Sequence, residues 1–197
     1  MFTRLGLLAV RPWSTYELTQ QIHRSLGRMW PRAQSKLYEE PKKLVAARLA
    51  TAATETVGRR PRTVYSITED GRAALSDWLS VPGEGPILEF EQLLKLSFAE
   101  HGTRDDALRI IAAARTWAEE RNAVNLLVAR EYAANQGQFQ DRAAQSMLAG
   151  AFFTELYAMV ARWADWATDQ VNAWPDNPAE AVADLDALGE IAKRADW

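Results

Sequence analysis

The chain has 197 residues, of which 48% are hydrophobic and 25% are charged, a composition typical of a globular protein. It has no cysteine and only two histidines, which excludes disulfides and cysteine chemistry and disfavours metal sites built on histidine. No apolar run approaches the roughly 20 residues needed to cross a bilayer, and the N-terminus lacks a signal-peptide pattern, so we expect a cytoplasmic protein without a membrane partner.

Charge is distributed unevenly along the chain. Residues 1–80 contain 13 Lys and Arg against 7 Asp and Glu, a net charge of +6, whereas residues 81–197 contain 10 against 19, a net charge of −9. The two parts meet at residues 81–86, Val-Pro-Gly-Glu-Gly-Pro, where two glycines and two prolines interrupt any helix. We therefore predict an N-terminal domain at 1–80 that meets an anionic partner, a linker at 81–86 and a helical domain at 87–197.

The first 30 residues predict two helices. The apolar segment Phe2–Val10 should form a short core helix, which the following Arg-Pro-Trp ends. Ser14 then begins a second helix with a capping box, in which its hydroxyl and the Glu17 carboxylate satisfy reciprocal backbone N–H groups. Leu18, Ile22 and Leu26 recur every four residues and mark the buried side of this helix.

A basic helix and a basic hairpin follow. The helix is predicted from Arg32 to about Ala47, and the hairpin from strands Leu49–Val57 and Thr63–Ile67 around the turn Gly58-Arg59-Arg60-Pro61-Arg62. A positive helix beside a positive turn suits a polyanion: the helix can enter the major groove of DNA while the turn reaches along the phosphate backbone. The alternative is an ordinary surface helix and a solvated hairpin.

The element after the hairpin completes a recognisable order. Thr68 is placed to cap a closing helix, Glu69–Ser80, whose Leu75, Trp78 and Leu79 we expect to pack inward. A helix, a turn, a basic helix, a two-stranded wing and a closing helix make a winged helix-turn-helix. The fold class predicted for the chain is therefore mostly α with a small β-wing.

Several stretches of the N-terminal domain also carry a family resemblance. These are Leu5-Gly6-Leu7-Leu8, Tyr16-Glu17-Leu18, Lys36-Leu37-Tyr38 and the wing pattern from Arg62 to Arg72. Their order and spacing over residues 5–79 resemble the PadR family of bacterial transcriptional regulators, and Phe90–Phe98 resembles the start of the PadR C-terminal region. The resemblance implies a winged helix that binds DNA and a helical C-terminal region that forms a dimer.

A proline departs from the family pattern inside the basic helix. Proline in a helix interior costs about 3 kcal/mol, so we expect the helix to bend or break near Glu39-Glu40-Pro41, with both glutamates facing away from phosphate. The resemblance places Tyr38 near the phosphate backbone, although a half-buried tyrosine with its hydroxyl outward is an equal alternative. The predicted DNA contacts are Arg32, Ser35, Lys36, Tyr38, Lys42, Arg59, Arg60 and Arg62.

Two long helices are predicted beyond the linker. Thr103 can cap the first of them, with two aspartates near its positive N-terminal end, and the second should run from about Gln140 to Ala173. Apolar residues recur along both at steps of three and four, which is typical of helix pairs. A last, acidic helix is predicted over Ala179–Ala195.

The long helices also predict an oligomer. A helix of some 30 residues spans about 45 Å, and the short elements of one chain cannot cover its apolar side, so a second copy of the chain is the economical cover. A dimer would place two winged helices on adjacent major grooves of double-stranded DNA. The predicted dimer contacts are Trp117, Val124, Val128, Phe152, Leu156, Met159, Trp163 and Trp166.

Aromatic residues on the long helices admit two interpretations. They either form an ordinary packed core or line a pocket for a small, flat aromatic effector, since stacking on indole rings is favourable. The candidate effector residues are Trp117, Phe153, Tyr157 and Trp163.

No catalytic site, metal site or cofactor is predicted. The chain has no nucleophile elbow, phosphate-binding glycine loop or dinucleotide fingerprint, and His23 and His101 fit no helix-borne ligand spacing. We therefore predict a dimeric, sequence-specific DNA-binding regulator of transcription, a repressor whose helical domain is the candidate site for a small aromatic effector. The principal alternative is a winged helix that mediates protein–protein assembly without DNA, and a helical enzyme is the third possibility.

Overall fold

A computed structural model describes residues 1–30, 39–57 and 60–196 of the chain. The chain divides into two compact units, Met1–Pro86 and Ile87–Trp197. In both units taken together, helices predominate and a single small sheet is described, which confirms the predicted fold class.

Within residues 1–30, 39–57 and 60–86, the first unit contains four α-helices and three strands. In chain order they are α1 (Phe2–Val10), β1 (Trp13–Ser14), α2 (Thr15–Gln21) with a following π-helical turn (Ile22–Leu26), α3 (Glu39–Ala46), β2 (Ala50–Val57), β3 (Arg60–Ile67) and α4 (Glu69–Leu79). The strands form an antiparallel sheet in the order β1-β3-β2.

The core of this unit lies between the helices and the sheet. Leu5 and Leu8 of α1, Ile22 and Leu44 are almost completely buried. Trp13 joins the sheet to α1, because its backbone pairs with Tyr65 of β3 while its indole Nε1 donates to the Leu7 carbonyl at 2.7 Å. Burying the indole with its N–H satisfied avoids the cost of an unpaired polar group.

Local capping signals gave correct helix starts. The Ser14 backbone N–H donates to the Glu17 carboxylate at 2.8 Å and the Glu17 N–H donates to the Ser14 hydroxyl at 3.3 Å, so the predicted capping box is confirmed. Thr68 caps α4 as predicted, by accepting from the Gly71 N–H at 3.0 Å.

The predicted inward packing of α4 is wrong in part. Leu75 is half-buried, but Trp78 and Leu79 are exposed. The Trp78 ring stacks on Phe2 of α1 with ring centroids 5.2 Å apart, which covers one face of the indole and leaves the other open. Leu79 is the last residue of the helix and is followed by an exposed stretch, so nothing in its own unit encloses it.

The wing strands differ from the prediction at the turn. Strand β3 begins at Arg60, not Thr63, so Arg60, Pro61 and Arg62 belong to the strand and pair with Val57, Thr56 and Glu55. Proline has no backbone N–H to donate, so it is accepted in a strand where that side has no paired neighbour. Pro61 is paired with Thr56 of β2 on one side of β3. Here β1 reaches only Val64 and Tyr65 on the other side of β3.

Only the second part of the predicted basic helix can be compared. Residues 31–38 lie outside the described residues, whereas Glu39–Ala46 is helical as predicted. Pro41 is a buried residue within this helix, which continues past it to Ala46. The helix is therefore not broken on the C-terminal side of the proline.

The second unit is built around two long helices. In chain order its elements are α5 (Glu91–Leu96), a 3-10 turn (Ala99–His101), α6 (Arg104–Ala133), a 3-10 turn (Gln140–Arg142), α7 (Ala143–Asn172), a 3-10 turn (Pro178–Glu180) and α8 (Leu185–Ala195). Helices α6 and α7 pair antiparallel, joined by an Arg115–Asp165 ion pair and a hydrogen bond from Asn125 to Thr154. One end of the pair encloses a cluster of Ala107, Ile111, Ala164, Ala167 and Val171.

The helix boundaries of the second unit match the predictions unevenly. Thr103 caps α6 as predicted, through a capping box with Asp106. Helix α7 begins at Ala143 because the three preceding residues form a 3-10 turn. The last helix starts at Leu185, six residues later than predicted, because Asp184 supplies its cap by accepting from the N–H groups of the second and third residues after it. No helix within the described ranges is long and apolar enough to cross a membrane.

Candidate nucleic-acid interface and apolar surfaces

Helix α3 carries its charged side chains in different directions. Lys42 and Lys43 are exposed, whereas Glu40 is turned toward α1, where its carboxylate accepts a hydrogen bond from the Met1 amino group at 2.9 Å and lies 3.6 Å from Arg4. The hydrogen bond from the Met1 amino group is the main cause that lowers the pKa of Glu40. The cationic surface of α3 is therefore not cancelled by Glu40, except in part at Lys43, 3.8 Å away.

The base of the wing holds a network of ion pairs. Arg62 donates to the Glu55 carboxylate across the β2–β3 pair at 3.0 Å, and its guanidinium also lies 3.8 Å from Glu17 of α2. Glu17 is 3.6 Å from Arg11, whose guanidinium sits over the Trp13 ring, 3.6 Å from its centroid. Hydrogen bonds from Ser14 are the main cause that lowers the pKa of Glu17, so this carboxylate stays ionised near neutral pH.

The start of α4 is fastened to the turn between α3 and β2. Thr68 donates its hydroxyl to the Arg48 carbonyl at 2.7 Å and its backbone N–H to the Leu49 carbonyl at 3.1 Å. Arg48 has a positive φ of 61° at this turn. A Cβ on Gly71 would lie 2.1 Å from the Leu49 carbonyl oxygen, so only glycine allows the approach.

The residues predicted to contact DNA fall into three groups. Arg32, Ser35, Lys36, Tyr38 and Arg59 lie outside the described residues. Lys42 is exposed on α3, and Arg60 is in β3. Arg62 is half of a cross-strand ion pair, a contact that sequence analysis missed because it requires the register of the two strands.

The four candidate effector residues come together in the second unit. The Trp117 and Tyr157 rings meet edge to face with centroids 5.6 Å apart, and Phe153 stacks on Tyr157 at 5.8 Å. Phe90, just before α5, bridges Trp117 at 6.3 Å and Trp163 at 6.0 Å. Sequence analysis missed Phe90 as a member of this aromatic cluster, although it is the first residue of the stretch that carries the C-terminal resemblance.

Five of the eight predicted dimer contacts are exposed on the α6–α7 pair. Phe152 is 57% and Met159 48% exposed, and Val124, Val128 and Trp166 are exposed as well. The remaining three, Trp117, Leu156 and Trp163, are half-buried. Large apolar side chains thus remain accessible along both long helices of a single chain.

The described residues contain no candidate metal-binding cluster. Among residues 1–30, 39–57 and 60–196, no three His, Asp or Glu side chains are grouped so that they could hold a metal ion.

The chain is similar to known proteins in sequence and in fold. Residues 5–77 match the family described as "Transcriptional regulator PadR-like family". The chain is 34% identical over 76 residues to the "Negative transcriptional regulator PadR" of Bacillus subtilis (strain 168); this alignment spans 38% of the chain and 42% of that relative, less than half of its length.

Solved structures resemble the chain over a greater length. The crystal structure of Bacillus subtilis PadR in complex with operator DNA has a TM-score of 0.71 and 23% identity, covering 86% of this chain and 97% of that one. The same protein in complex with p-coumaric acid has a TM-score of 0.66 and 22% identity, covering 87% and 97%. At this level of identity the likeness establishes the fold. The family match covers residues 5–77, so it is the winged-helix unit that is similar in sequence to PadR-like transcriptional regulators.

Proposed function

We propose that the protein is a dimeric, sequence-specific DNA-binding regulator that represses transcription. The observation that carries this proposal is the winged-helix unit, whose residues 5–77 match a family of transcriptional regulators. The relative that is 34% identical over this region is named a negative regulator, which supports repression. A structure of the same fold in complex with operator DNA supports duplex DNA as the partner.

The proposed DNA contacts combine the basic helix with the wing. Lys42 presents an exposed ammonium group on α3, and Arg32, Ser35, Lys36 and Tyr38 precede it in the same predicted helix. Arg60 is the first residue of β3, and Arg59 precedes it in the predicted basic turn, outside the described residues. Arginine and lysine at such positions neutralise phosphates, while side chains of a helix in the major groove read base edges.

The proposed dimer rests on the apolar surface of the α6–α7 pair. Each helix has 30 residues and a length of about 45 Å, and both expose large apolar side chains on their outer faces. A second copy that covers these side chains would remove them from water, the main driving force of association. Pairing would also carry two winged helices to successive major grooves of an operator.

The aromatic cluster supports an effector of matching chemistry. Trp117, Phe153, Tyr157 and Trp163 bring aromatic faces and edges close together, and a structure of similar fold contains p-coumaric acid, a flat aromatic acid. We infer that a compound of this class enters among these rings and changes DNA affinity. If the rings serve only as a packed core, such a compound will have no effect.

Duplex binding measured over a range of salt concentrations tests the DNA proposal. Each phosphate contact adds roughly 0.9 to the slope of log affinity against log salt concentration. The variant R59A/R60A should therefore bind all duplexes more weakly and reduce this slope by about 2, one unit for each lost contact. Lys193→Ala, which removes one positive charge from α8, is the control and should leave both quantities unchanged.

Two outcomes contradict the proposal. If R59A/R60A has the same affinity and the same salt slope as the wild-type protein, the wing does not contact DNA. If the wild-type protein binds no duplex at low salt, the alternative of a winged helix that mediates protein–protein assembly is favoured.

Adding p-coumaric acid to the same assay tests the effector. The inferred site predicts that DNA affinity changes, and unchanged affinity would mean that the aromatic cluster is core packing.

A further inference from the structure

We propose that Arg62 is a positioning residue that fixes the wing against helix α2 and does not itself contact phosphate. The inference deepens the DNA-binding function proposed above and rests on it. It separates Arg62 from Arg59 and Arg60, which the sequence groups with it in one basic stretch.

The first support is the geometry of the Arg62 guanidinium. Glu55 and Arg62 stand directly opposite each other in the β2–β3 pair, and the guanidinium donates to the Glu55 carboxylate at 3.0 Å. The same guanidinium is 3.8 Å from Glu17, in the first turn of α2. One side chain therefore connects both strands of the wing with the first helix of the helix-turn-helix.

The second support is that Glu17 is itself held in place. Its carboxylate accepts from the Ser14 backbone N–H at 2.8 Å and lies 3.6 Å from Arg11. Arg11 packs over the ring of Trp13, which is buried and donates a hydrogen bond to the Leu7 carbonyl of α1. Arg62 is thus attached to a carboxylate whose position the core determines, as an anchor for the wing requires.

Electrostatics give the third support. Two carboxylates within 4 Å offset the single charge of the guanidinium, so Arg62 presents little net positive potential to a phosphate. A phosphate would have to compete with both for the same N–H donors. Lys42 on α3 is exposed, and the described residues provide no ion pair for it. A phosphate would therefore meet no described competing carboxylate at Lys42.

A double-mutant cycle with Glu55 distinguishes the two roles. If Arg62 contacts phosphate, Glu55 competes with DNA, and Glu55→Gln should tighten binding. If Arg62 positions the wing, Glu55→Gln should weaken binding by about threefold, and Arg62→Ala by up to about fivefold with an unchanged salt slope. The double variant should then bind like Arg62→Ala alone, because both changes break the same contact.

Glu69→Gln is the matched control, since Glu69 is an exposed carboxylate of the same unit for which the described residues provide no ion pair. Thermal unfolding of each variant shows whether the unit remains folded at the assay temperature. Tighter binding by E55Q, a slope reduced by about 1 in R62A, or an equal loss in E69Q would overturn the inference while leaving the DNA-binding function intact. A wild-type protein that binds no duplex would overturn that function, and the inference with it.

Discussion

Gly71 shows how one residue ties the wing to the closing helix. Its Cα lies so close to the end of the α3–β2 turn that a Cβ would be 2.1 Å from the Leu49 carbonyl oxygen and 2.8 Å from the Ile67 side chain. The carbonyl belongs to the backbone and accepts the Thr68 N–H, so it cannot move without breaking that bond. We expect Gly71→Ala to lower the free energy of unfolding by roughly 1–3 kcal/mol, as overpacking does.

Gly6 provides the control for this prediction. It also lies in a helix of the first unit, but a Cβ there would meet no atom within 4 Å. Gly6→Ala should therefore leave stability unchanged or raise it by up to about 1 kcal/mol through helix propensity. Urea denaturation followed by circular dichroism measures both variants, and equal stability of G71A and wild type would show that the turn can move aside.

Glu17 gives the first unit a specific dependence on pH. Hydrogen bonds from Ser14 lower the pKa of Glu17 in the folded protein, with smaller contributions from Arg11 and Arg62. A lowered folded-state pKa stabilises the protein above the unfolded-state pKa of about 4.3, and this stabilisation is lost as the pH falls through the folded-state value. Glutamine can still form a capping box, so Glu17→Gln isolates the charge.

We expect wild type to unfold about 2–4 °C above E17Q at pH 7. The difference should shrink as the pH is lowered from about 5 toward 3, because Glu17 becomes protonated and then resembles the glutamine. Thermal unfolding midpoints of both proteins over this series provide the measurement. A difference that stays constant down to pH 3 would mean that the charge of Glu17 contributes nothing.

At the level of single elements, the sequence determined helix starts better than packed faces. Ser14, Thr68 and Thr103 each cap the helix predicted for them. A cap depends on a hydroxyl and a backbone N–H two or three residues away, so its chemistry is contained in a short stretch of sequence. Asp184 caps α8 in the same way and was a readable signal that the prediction overlooked.

Buried faces were harder to predict because apolar residues often occur in adjacent pairs. Phe152 stands beside Phe153 and Met159 beside Val160, so two apolar stripes run along α7, about 100° apart. The structure buries Phe153 and Val160 within the chain and leaves Phe152 and Met159 exposed. Periodicity identifies such stripes but not which of them faces the neighbouring helix, a choice made by the packing of α6 against α7.

For the candidate DNA interface, the sequence predicted the residue types and the order of elements but not the ion pairs between elements. The basic composition of the helix and wing followed from residue types, and the fold from the order of elements. Whether a given basic side chain is paired with a carboxylate could not be predicted in this way. Arg62 acquires its carboxylate partners only when β2, β3 and α2 come together. Contacts between elements distant in sequence are set by strand register and helix docking, neither of which a local pattern contains.

At the scale of the whole molecule, the two apolar stripes on α7 lie in different surroundings. One packs against α6, where the bond from Asn125 to Thr154 adds a polar contact that fixes how the helices align. The other carries the exposed Leu148, Phe152 and Met159, which lie between residues 148 and 159 of this 30-residue helix. Stable protein interfaces bury about 800 Å² on each partner, and a helix pair about 45 Å long can supply such an area.

This apolar surface leads to a prediction about mass in solution. Wild-type protein at micromolar concentration should sediment at twice the 22.1 kDa mass of one chain. Phe152→Glu combined with Met159→Glu should shift it to a folded monomer, because both side chains are exposed in the single chain and charges there would be buried only in the dimer. Asn172→Glu, at the exposed polar end of α7, should remain dimeric.

The monomeric double variant also connects assembly with DNA recognition. A monomer retains one winged helix but loses the second half-site, so its affinity for a palindromic operator should fall while its weak affinity for a single half-site stays the same. A wild-type protein that sediments at 22.1 kDa would contradict the dimer directly. A double variant that stays dimeric would move the interface away from this face of α7 and leave its exposed aromatic and methionine side chains without a role in assembly.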